Sequence, residues 1–567
     1  MKLPSLIQQH GASAYGIVVW LTMSAQLLLF HGISRNSFSI YIGIYSLMEI
    51  FFLFFPYWWL KGRWRAMTLI FVWALSIYFF SNMIYFRFWG SMMPLDLFRQ
   101  AGNANGVLAK SIIHTIQAVD WFYLLSALAL TSVWLCPAAR KAVCAEKFPL
   151  RLRVTLTALA TITYLALIFL YNVRMSEVGN RTEKAKAILS GKTPIKLYNV
   201  FMAKNHRTYK HLGITLHLIY EFENLLLSCS TFSLTPEERK SLNDYLAALS
   251  DGNADHHAPT DRNLIFIIVE SLDADMIGAT VGGKEVTPVM NSLAASHGSV
   301  CALKMTSQIG AGSSCDGQLM YNLGVLPTLY GVGSVDFVPH LKNIPSLPHL
   351  LPKQYTSEAI FADGGSGWGK TEAYLVYGYA QQYSNHAFRH MADGTRSTDG
   401  LMLHFALQRA QQLPEPFYMQ LLTIQMHYPS DTGALRTLTF ETDSLPEERV
   451  RYLNCTADFD RNLGIFIDGL KKAGRWDNTT LVIASDHNYQ KWKDHTQIAF
   501  IAANTDTTLC VADTVRQIDV FPTVLDIMGL QSKWRGTGHS MLGPRRGEWE
   551  ERQIAVSDSI LRSDFFR

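Results

Sequence analysis

Five long apolar stretches in the first 175 residues constrain the fold of this chain more than any other feature. A helix needs about 20 consecutive, mostly apolar residues to cross the hydrocarbon core of a bilayer. Helices are favoured there because they satisfy their backbone hydrogen bonds internally. The sequence therefore predicts an α-helical transmembrane domain of five spans over residues 1–173, with the spans at about 15–31, 38–60, 66–86, 121–136 and 154–171.

Lysine and arginine residues cluster in two of the loops between these stretches and predict the orientation. Short loops rich in Lys and Arg stay on the cytoplasmic side of the membrane. We therefore expect a multi-pass protein of the cytoplasmic (inner) membrane, with its N-terminus inside and all residues after about 172 outside. The cationic residues of the two loops are Lys61, Arg63, Arg65, Arg140, Lys141, Lys147, Arg151 and Arg153.

Two polar features of the first 260 residues leave alternatives open. Glu49 lies inside the second stretch, where it is either a functional carboxylate or a polar group satisfied within the helix bundle. Residues 174–260 form a linker in which basic and apolar residues alternate. Its helices lie either on an anionic lipid surface or against the following domain. Near its end, Thr235-Pro236 with Glu238 predicts the start of a helix.

Residues 261–567 have the pattern of an α/β domain. Short, continuous apolar runs are typical of strands that are buried on both faces of a parallel sheet. Helical patterns separate them, and the clearest begins near Ser444, with Glu447 in capping-box position, and stops at Gly474. The alternation predicts a mostly parallel sheet, with the chemistry at the carboxyl ends of its strands. The runs lie at 264–269, 359–361, 417–424, 481–484 and 498–502.

The net charge and the cysteines give no signal for nucleic-acid binding, for a cysteine metal site or for a dense disulfide framework. The net charge of +4 is small for 567 residues, and no nucleic-acid partner is expected. The seven cysteines contain no CxxC pair, so a cysteine metal site is not indicated. Their odd number argues against a dense disulfide framework, although a single bridge such as Cys301 to Cys315 stays open.

Polar residues follow three of the predicted strands. Glu270 ends the first, Asp486-His487 ends the fourth, and His427 follows the third. A loop of small residues, Gly310–Asp316, precedes a helical pattern, and a helix N-terminus favours an anion. Two carboxylates, an imidazole and a hydroxyl suit a divalent metal ion, which lowers the pKa of the hydroxyl and holds phosphoryl oxygens. Manganese and zinc fit these ligands equally, and magnesium stays open.

These motifs resemble those of the lipoteichoic acid synthase-like family, within the alkaline phosphatase/sulfatase superfamily. The resemblance extends over five spans, a linker and a catalytic domain. It implies that the metal ligands are Glu270, Ser314, Asp486 and His487, and that Ser314 is also the catalytic nucleophile. The segments that carry it are Asn263–Ser271, Gln308–Asp316, Arg451–Asn454, Trp476–Thr480, Ala484–His487, Asp519–Thr523 and Gly536–Ser540.

The resemblance also implies substrate-phosphate contacts from His427, Trp368, Lys370 and His495. Some positions depart from the family pattern. A Ser stands where the best-known members have Thr, and Ser313 and Cys315 compete with Ser314 for the role of nucleophile. Lys370 replaces an Arg and cannot bind phosphate in the bidentate manner. The maturation pattern of sulfatases is missing around Ser314, which disfavours sulfatase activity.

The resemblance implies a membrane-bound transferase. It would move a phospholipid headgroup, phosphoglycerol first, through a covalent Ser intermediate to a hydroxyl of a glycan, glycolipid or polymer acceptor. Phosphoethanolamine transfer from phosphatidylethanolamine is one alternative. A metal-dependent phosphodiesterase or phosphatase is another, and a scaffold without activity is a third.

Overall fold

The computed structural model divides the chain into two compact units. The helical unit comprises Met1–Leu95 and Ile112–Asn224, and the sheet unit comprises Asp96–Ser111 and Leu225–Arg567. The structure describes residues 10–35, 40–89, 92–95, 97, 106–166, 214–215, 217–218, 221–222, 225, 231–250, 261–310, 312–328, 331–365, 367–392, 394, 396–433, 435, 439–441, 444–489, 497–543 and 550–567.

The α-helices of four or more described residues are numbered in chain order. They are α1 (Gly11–Arg35), α2 (Ile40–Phe54), α3 (Met67–Trp89), α4 (Gly106–Thr115), α5 (Trp121–Leu135), α6 (Pro137–Ala145), α7 (150–166), α8 (Pro236–Ser250), α9 (Pro288–Ala295), α10 (Ser314–Leu323), α11 (Gly333–Asp336), α12 (Leu347–Leu350), α13 (Lys370–Val376), α14 (Thr398–Gln412), α15 (Glu447–Lys472), α16 (Val520–Ile527) and α17 (Glu550–Arg562).

Three helices in the described part of the chain are long and apolar enough to cross a membrane: Gly11–Ser34, Gly62–Arg87 and Ala118–Leu135. In the second predicted span, α2 ends at Phe54 and a 3-10 turn, Phe55–Trp58, follows. Pro56 stands near the start of this turn and lacks the N–H that would continue an α-helix. The fifth predicted span is helical to residue 166, and the rest of it lies outside the described residues. The five-span count therefore stays a prediction.

Several buried polar side chains of the helical unit are bonded to other helices or to backbone. Gln26 Nε2 donates to Ser76 Oγ and to the carbonyl oxygen of Tyr123, each at 3.0 Å. Glu49 is buried and accepts the backbone N–H of Thr215 at 2.6 Å. This contact favours the interpretation of Glu49 as a polar group satisfied within the bundle.

In its described residues, the sheet unit is built on nine paired strands that run mostly parallel. Their order across the sheet is β10-β4-β9-β8-β1-β7-β5-β6, and β11 also pairs with β4. Among these described strands, only β9 runs antiparallel to its neighbours, β4 and β8. The strands, with the separate hairpin β2–β3, are β1 (Asn263–Val269), β2 (Thr280–Val281), β3 (Lys284–Glu285), β4 (Val300–Thr306), β5 (Thr356–Phe361), β6 (Gln381–Tyr383), β7 (Phe417–Leu422), β8 (Thr479–Ser485), β9 (Ile498–Ala503), β10 (Leu509–Val511) and β11 (Val515–Arg516).

The predicted mostly parallel sheet is confirmed. Every residue of β1, β7, β8 and β9 is buried, which explains their continuous apolar runs. The strand β4 was not predicted, because its residues VCALKMT include the exposed Lys304 and give no such run. Cys301 in β4 lies opposite Cys510 in β10, and Cys301 and Cys315 are both free thiols, so a Cys301–Cys315 bridge is not formed.

Two predicted helix starts have different outcomes. The capping box at Thr235 is confirmed: the Glu238 N–H donates to Thr235 Oγ1 at 3.2 Å, and the Thr235 N–H donates to Glu238 Oε2 at 2.9 Å. The start near Ser444 is wrong, because α15 begins only at Glu447, after Pro446. Pro446 is itself extended, with a ψ of 141°, and a proline disfavours a helical conformation in the residue before it, so the helix does not reach back to Ser444.

Candidate metal and nucleophile site

The register of two parallel strands brings two carboxylates together. Val269 of β1 pairs with Ser485 of β8, so the next residues, Glu270 and Asp486, leave the sheet side by side. Asp486 Oδ1 accepts the backbone N–H of Ser271 at 2.8 Å and that of His487 at 2.7 Å. These bonds fix the Asp486 carboxylate at the carboxyl end of the sheet, where the sequence predicted the chemistry.

The predicted nucleophile starts the helix α10. Ser314 is the first residue of this helix, and Ser313 before it has a φ of 51°. The turn brings Ser314 Oγ to 3.2 Å from Glu270 Oε2 and to 3.1 Å from His487 Nε2. Ser314 is therefore a hydroxyl that contacts the strand-end residues directly.

Asp316 shapes the loop that presents Ser314. Its Oδ2 accepts the backbone N–H groups of Gly310 at 2.8 Å and Gly312 at 2.9 Å. A Cβ on Gly312 would lie 2.4 Å from Asp316 Oδ1, so this position requires glycine. Burial raises the pKa of Asp316 to about 6, although these backbone donors favour its charged form.

Glu270, Asp486 and His487 form a buried cluster that suits a metal ion. One ligand atom from each lies within 4.8 Å of the others, and His487 Nε2 is 3.5 Å from Glu270 Oε1 and from Asp486 Oδ2. The buried Oδ2 of Asp486 has no hydrogen-bond partner among the residues that the structure describes. Two carboxylates and an imidazole, with an oxygen left for coordination, fit a divalent cation.

The electrostatics of the cluster also fit a cation. Burial, and after it the charge of Glu270, together raise the pKa of Asp486 to about 7. Burial works against the charged form of His487, but Asp486 and Glu270 outweigh it and raise the pKa of the imidazole. The cluster therefore concentrates negative charge in a buried place, and a divalent cation would neutralise it.

Hydrogen bonds from neighbouring residues hold the cluster residues in place. Ser271 Oγ donates to Glu270 Oε1 at 2.8 Å. The Glu270 N–H donates to Thr423 Oγ1 at 2.8 Å, and Tyr452 donates its hydroxyl to the Ser271 carbonyl oxygen at 2.8 Å. Such partners orient metal ligands and tune their basicity.

Two family models match most of the chain. Residues 12–222 match the lipoteichoic acid synthase N-terminal domain, and residues 262–530 match the sulfatase domain, which includes Glu270, Ser314, Asp486 and His487. The chain belongs to the lipoteichoic acid synthase-like family.

Curated relatives of this lipoteichoic acid synthase-like chain carry the family's name. It is 23% identical over 566 residues to lipoteichoic acid synthase 2 of Bacillus subtilis (strain 168), covering 94% of this chain and 83% of that one. It is 24% identical over 533 residues to the lipoteichoic acid synthase of Staphylococcus saprophyticus, covering 86% and 76%. A solved structure, the lipoteichoic acid synthase LtaP from Listeria monocytogenes, is 20% identical with a TM-score of 0.46, over 53% of this chain and 80% of that one.

His427 lies after β7, which is the other neighbour of β1 in the sheet. Its Nδ1 is 2.9 Å from the carbonyl oxygen of Tyr428. Burial lowers the pKa of His427 to about 4, so the imidazole is neutral at pH 7. The charges of His487 and Asp486 also act on this pKa, so His427 belongs to the same electrostatic environment as the cluster.

Two other predicted phosphate contacts of this lipoteichoic acid synthase-like chain, Trp368 and Lys370, lie beside the nucleophile loop. Trp368 has a φ of 58°, and its carbonyl oxygen is 3.8 Å from the Sγ of Cys315. Lys370 begins α13, is buried, and forms an ion pair with Asp363. His495 lies outside the described residues.

Two residues near these contacts were not among those predicted from the sequence. Asp363 follows β5 at the same carboxyl edge of the sheet, so the strand-end rule could have found it. The second residue is Ser111, in the first segment of the sheet unit. Its Oγ lies 3.4 Å from His427 Nδ1 and donates a hydrogen bond to the carbonyl oxygen of Tyr428. More than 300 positions separate Ser111 from His427, and no local pattern links them.

Proposed function

We propose that this chain is a metal-dependent phosphotransferase that moves a phospholipid headgroup, phosphoglycerol first, to an acceptor hydroxyl. The observation that carries the proposal is the position of Ser314 Oγ, 3.2 Å from Glu270 and 3.1 Å from His487. The names of its curated relatives, lipoteichoic acid synthases, support phosphoglycerol as the headgroup.

In this proposal Glu270, Asp486 and His487, together with Ser314 Oγ, would hold a divalent metal ion. When bound, such an ion would lower the pKa of the hydroxyl and offset the charge of the phosphate. Ser314 Oγ forms a bond to phosphorus while the bond from phosphorus to the diacylglycerol oxygen breaks, and that oxygen takes up a proton. The oxygen of an acceptor hydroxyl, from a glycan, glycolipid or polymer, then forms the new bond to phosphorus and releases Ser314. The covalent intermediate divides one difficult displacement at phosphorus into two displacements with lower barriers.

His427 fits the second displacement as a proton acceptor. Its Nδ1 is placed to donate to the Tyr428 carbonyl oxygen at 2.9 Å, which leaves the lone pair on Nε2. A neutral imidazole in this tautomer can take the proton of the acceptor hydroxyl, and the positive charge it gains is stabilised by the nearby phosphate. Lys370, already paired with Asp363, adds positive charge near the phosphate.

The proposed setting is the cytoplasmic membrane. Three apolar helices near the N-terminus and the family membership support a membrane anchor. We place the loops with Arg63 and Arg140 in the cytoplasm and the sheet unit outside. The proposed domains are the membrane domain 1–173, the linker 174–260 and the catalytic domain 261–567. Because that side of the membrane lacks ATP, a phospholipid is the donor of the phosphate group.

A covalent adduct tests the proposal. Full-length protein in detergent with Mn²⁺ is incubated separately with phosphatidylglycerol and with phosphatidylethanolamine, and its intact mass and modified peptide are determined. A glycerophosphoryl adduct on Ser314 is expected. A phosphoethanolamine adduct would keep the mechanism and replace the donor. Release of headgroup phosphate without an adduct on Ser314 or a transfer product would identify a hydrolase and reject the proposal.

A further inference from the structure

A cavity of about 580 Å³ opens within the helical unit, at the end where α3 begins and α5 ends. Three of its lining residues are cationic: Arg63 before α3, and Arg140 and Lys141 in α6. All three are exposed to solvent. The remaining lining residues are Ala66, Trp134, Pro137 and Cys144. The cavity therefore combines concentrated positive charge with an apolar wall.

No carboxylate among the described residues forms an ion pair with these three cations. The nearest acidic residue in sequence, Glu146, is engaged elsewhere: its Oε1 accepts Ser13 Oγ at 2.5 Å, and its Oε2 accepts the Ser13 N–H at 2.8 Å. The positive charge of the cavity is thus not neutralised within the described part of the chain. An anion that enters the cavity would meet three cationic side chains and the N-terminal turn of α6, which begins at Pro137.

The walls of the cavity are tied together. Arg65, between Arg63 and α3, is buried and donates to the carbonyl oxygens of Val143 and, at 3.0 Å, Glu146 at the end of α6. Its guanidinium also lies 4.6 Å from the ring centre of Phe148. These bonds join the segment before α3 to the end of α6 and so fix the backbone that carries the cationic residues. Binding of an anion therefore requires less loss of conformational entropy from this backbone.

Exposed apolar side chains continue from the cavity along the same helices. Met67 is 49% and Ile70 is 69% exposed in the first turn of α3, and Leu135 is 64% exposed at the end of α5. These are residues that a bilayer would cover. A ligand that matches both the cationic cavity and the exposed apolar side chains has an anionic headgroup and acyl chains.

We propose that this cavity binds the phosphate headgroup of an anionic glycerophospholipid at the cytoplasmic end of the helical unit. Basic cavities between transmembrane helices are suited to such headgroups. The site is separate from the Glu270, Asp486 and His487 cluster, and it does not depend on the proposed transfer reaction. A bound lipid there would anchor the segment before α3 and the start of α6 to the membrane.

Lipid binding to full-length protein in detergent tests the proposal. Native mass spectrometry counts the lipids that the protein retains during titration with dioleoylphosphatidylglycerol or dioleoylphosphatidylcholine. The double variant Arg140→Ala/Lys141→Ala should bind one phosphatidylglycerol at least about tenfold more weakly than the wild type, because two cations near the headgroup are lost. Binding of other copies, including one at the catalytic cluster, should not change.

The matched control is Lys147→Ala/Arg151→Ala. It removes two exposed cations that do not line the cavity, from the same stretch of chain and with the same change in net charge. This control should bind as the wild type does. Equal weakening in both double variants would show general attraction to anionic lipid and overturn the site. Equal affinity for phosphatidylcholine would also overturn it.

Two further measurements complete the test. Inorganic phosphate should not displace the bound lipid. If it does so in the wild type, the ligand is a free anion and the lipid assignment is wrong. The unfolding midpoint of each variant checks its fold, and the single variant Arg63→Gln, with a smaller but measurable loss of affinity, gives an independent result should the double variant be unstable.

Discussion

The hydroxyl oxygen of Ser314 lies 3.1 Å from Nε2 of His487, although 173 positions separate the two residues in the chain. Ser314 also lies 3.2 Å from Glu270 Oε2, so one oxygen contacts two of the three potential metal ligands. This arrangement joins a helix N-terminus to the ends of two strands. It supports the assignment of Ser314 rather than a neighbouring residue as the nucleophile, and the first prediction follows from it.

Replacing Ser314 by Ala should reduce headgroup transfer at least about a thousandfold, because the nucleophile is removed. Ser313→Ala is the matched control, and it should keep most of the activity. Ser314→Thr should stay active, since it retains a hydroxyl on the same carbon. Transfer of a fluorescent headgroup from lipid to acceptor measures all three variants. Loss of transfer in Ser313→Ala with normal turnover in Ser314→Ala would assign the other serine.

Removing divalent metal should lower both activity and thermal stability. The cluster of Glu270, Asp486 and His487 is buried, and its negative charge is unfavourable without a cation. A ligand that binds only the folded state at 100 times its Kd stabilises it by about 2.7 kcal/mol. Chelator should therefore lower the unfolding midpoint, and Mn²⁺ or Zn²⁺ should restore it.

The variant Glu270→Gln should lose this metal-dependent shift, whereas the exposed control Glu372→Gln should keep it. The midpoint is followed by intrinsic fluorescence of the full-length protein in detergent. An unchanged midpoint on chelation and metal addition, in the wild type, would contradict the metal site.

Acidic pH should destabilise the protein partly through His427. Burial lowers the pKa of this imidazole in the folded state to about 4, below the usual value of 6.5 in the unfolded chain. Its contribution to stability is therefore fully present above pH 6.5 and is lost as the pH falls from 6.5 towards 4. In His427→Gln this part of the pH dependence should disappear. The measurement is the unfolding midpoint of the wild type and of His427→Gln between pH 4.5 and 7.5. Parallel pH curves for the two proteins would contradict this role of His427.

Lys370 should act on the substrate and not merely neutralise Asp363. The two side chains form an ion pair beside the nucleophile loop. Lys370→Met should raise KM for the lipid by about tenfold, as expected when a charge-assisted contact is lost. The double variant Lys370→Met/Asp363→Asn removes the unpaired acid as well. If KM returns to the wild-type value in the double variant, Lys370 serves only the ion pair.

The strand ends were predictable because their physics is local. The buried run of β1 and the run of β8 could be recognised from apolar residues, and polar residues after such runs meet at one edge of a parallel sheet. The pairing of Val269 with Ser485 is a property of the whole sheet and was not predictable from either strand. Contacts such as Ser111 with His427 depend on the path of distant segments, which short patterns do not encode.

The order of the strands has a consequence for the biosynthesis of the protein. In space β8 lies between β1 and β9, yet in the chain it follows β1 by more than 200 residues. Glu270 and Ser314 are synthesised early. They cannot contact Asp486 and His487 until those residues have been synthesised and β8 has paired with β1. Pairing over such a distance comes late because the loop must close first. A nascent or truncated chain should therefore be unable to attack lipid, and the activity would begin only when the outer domain is complete.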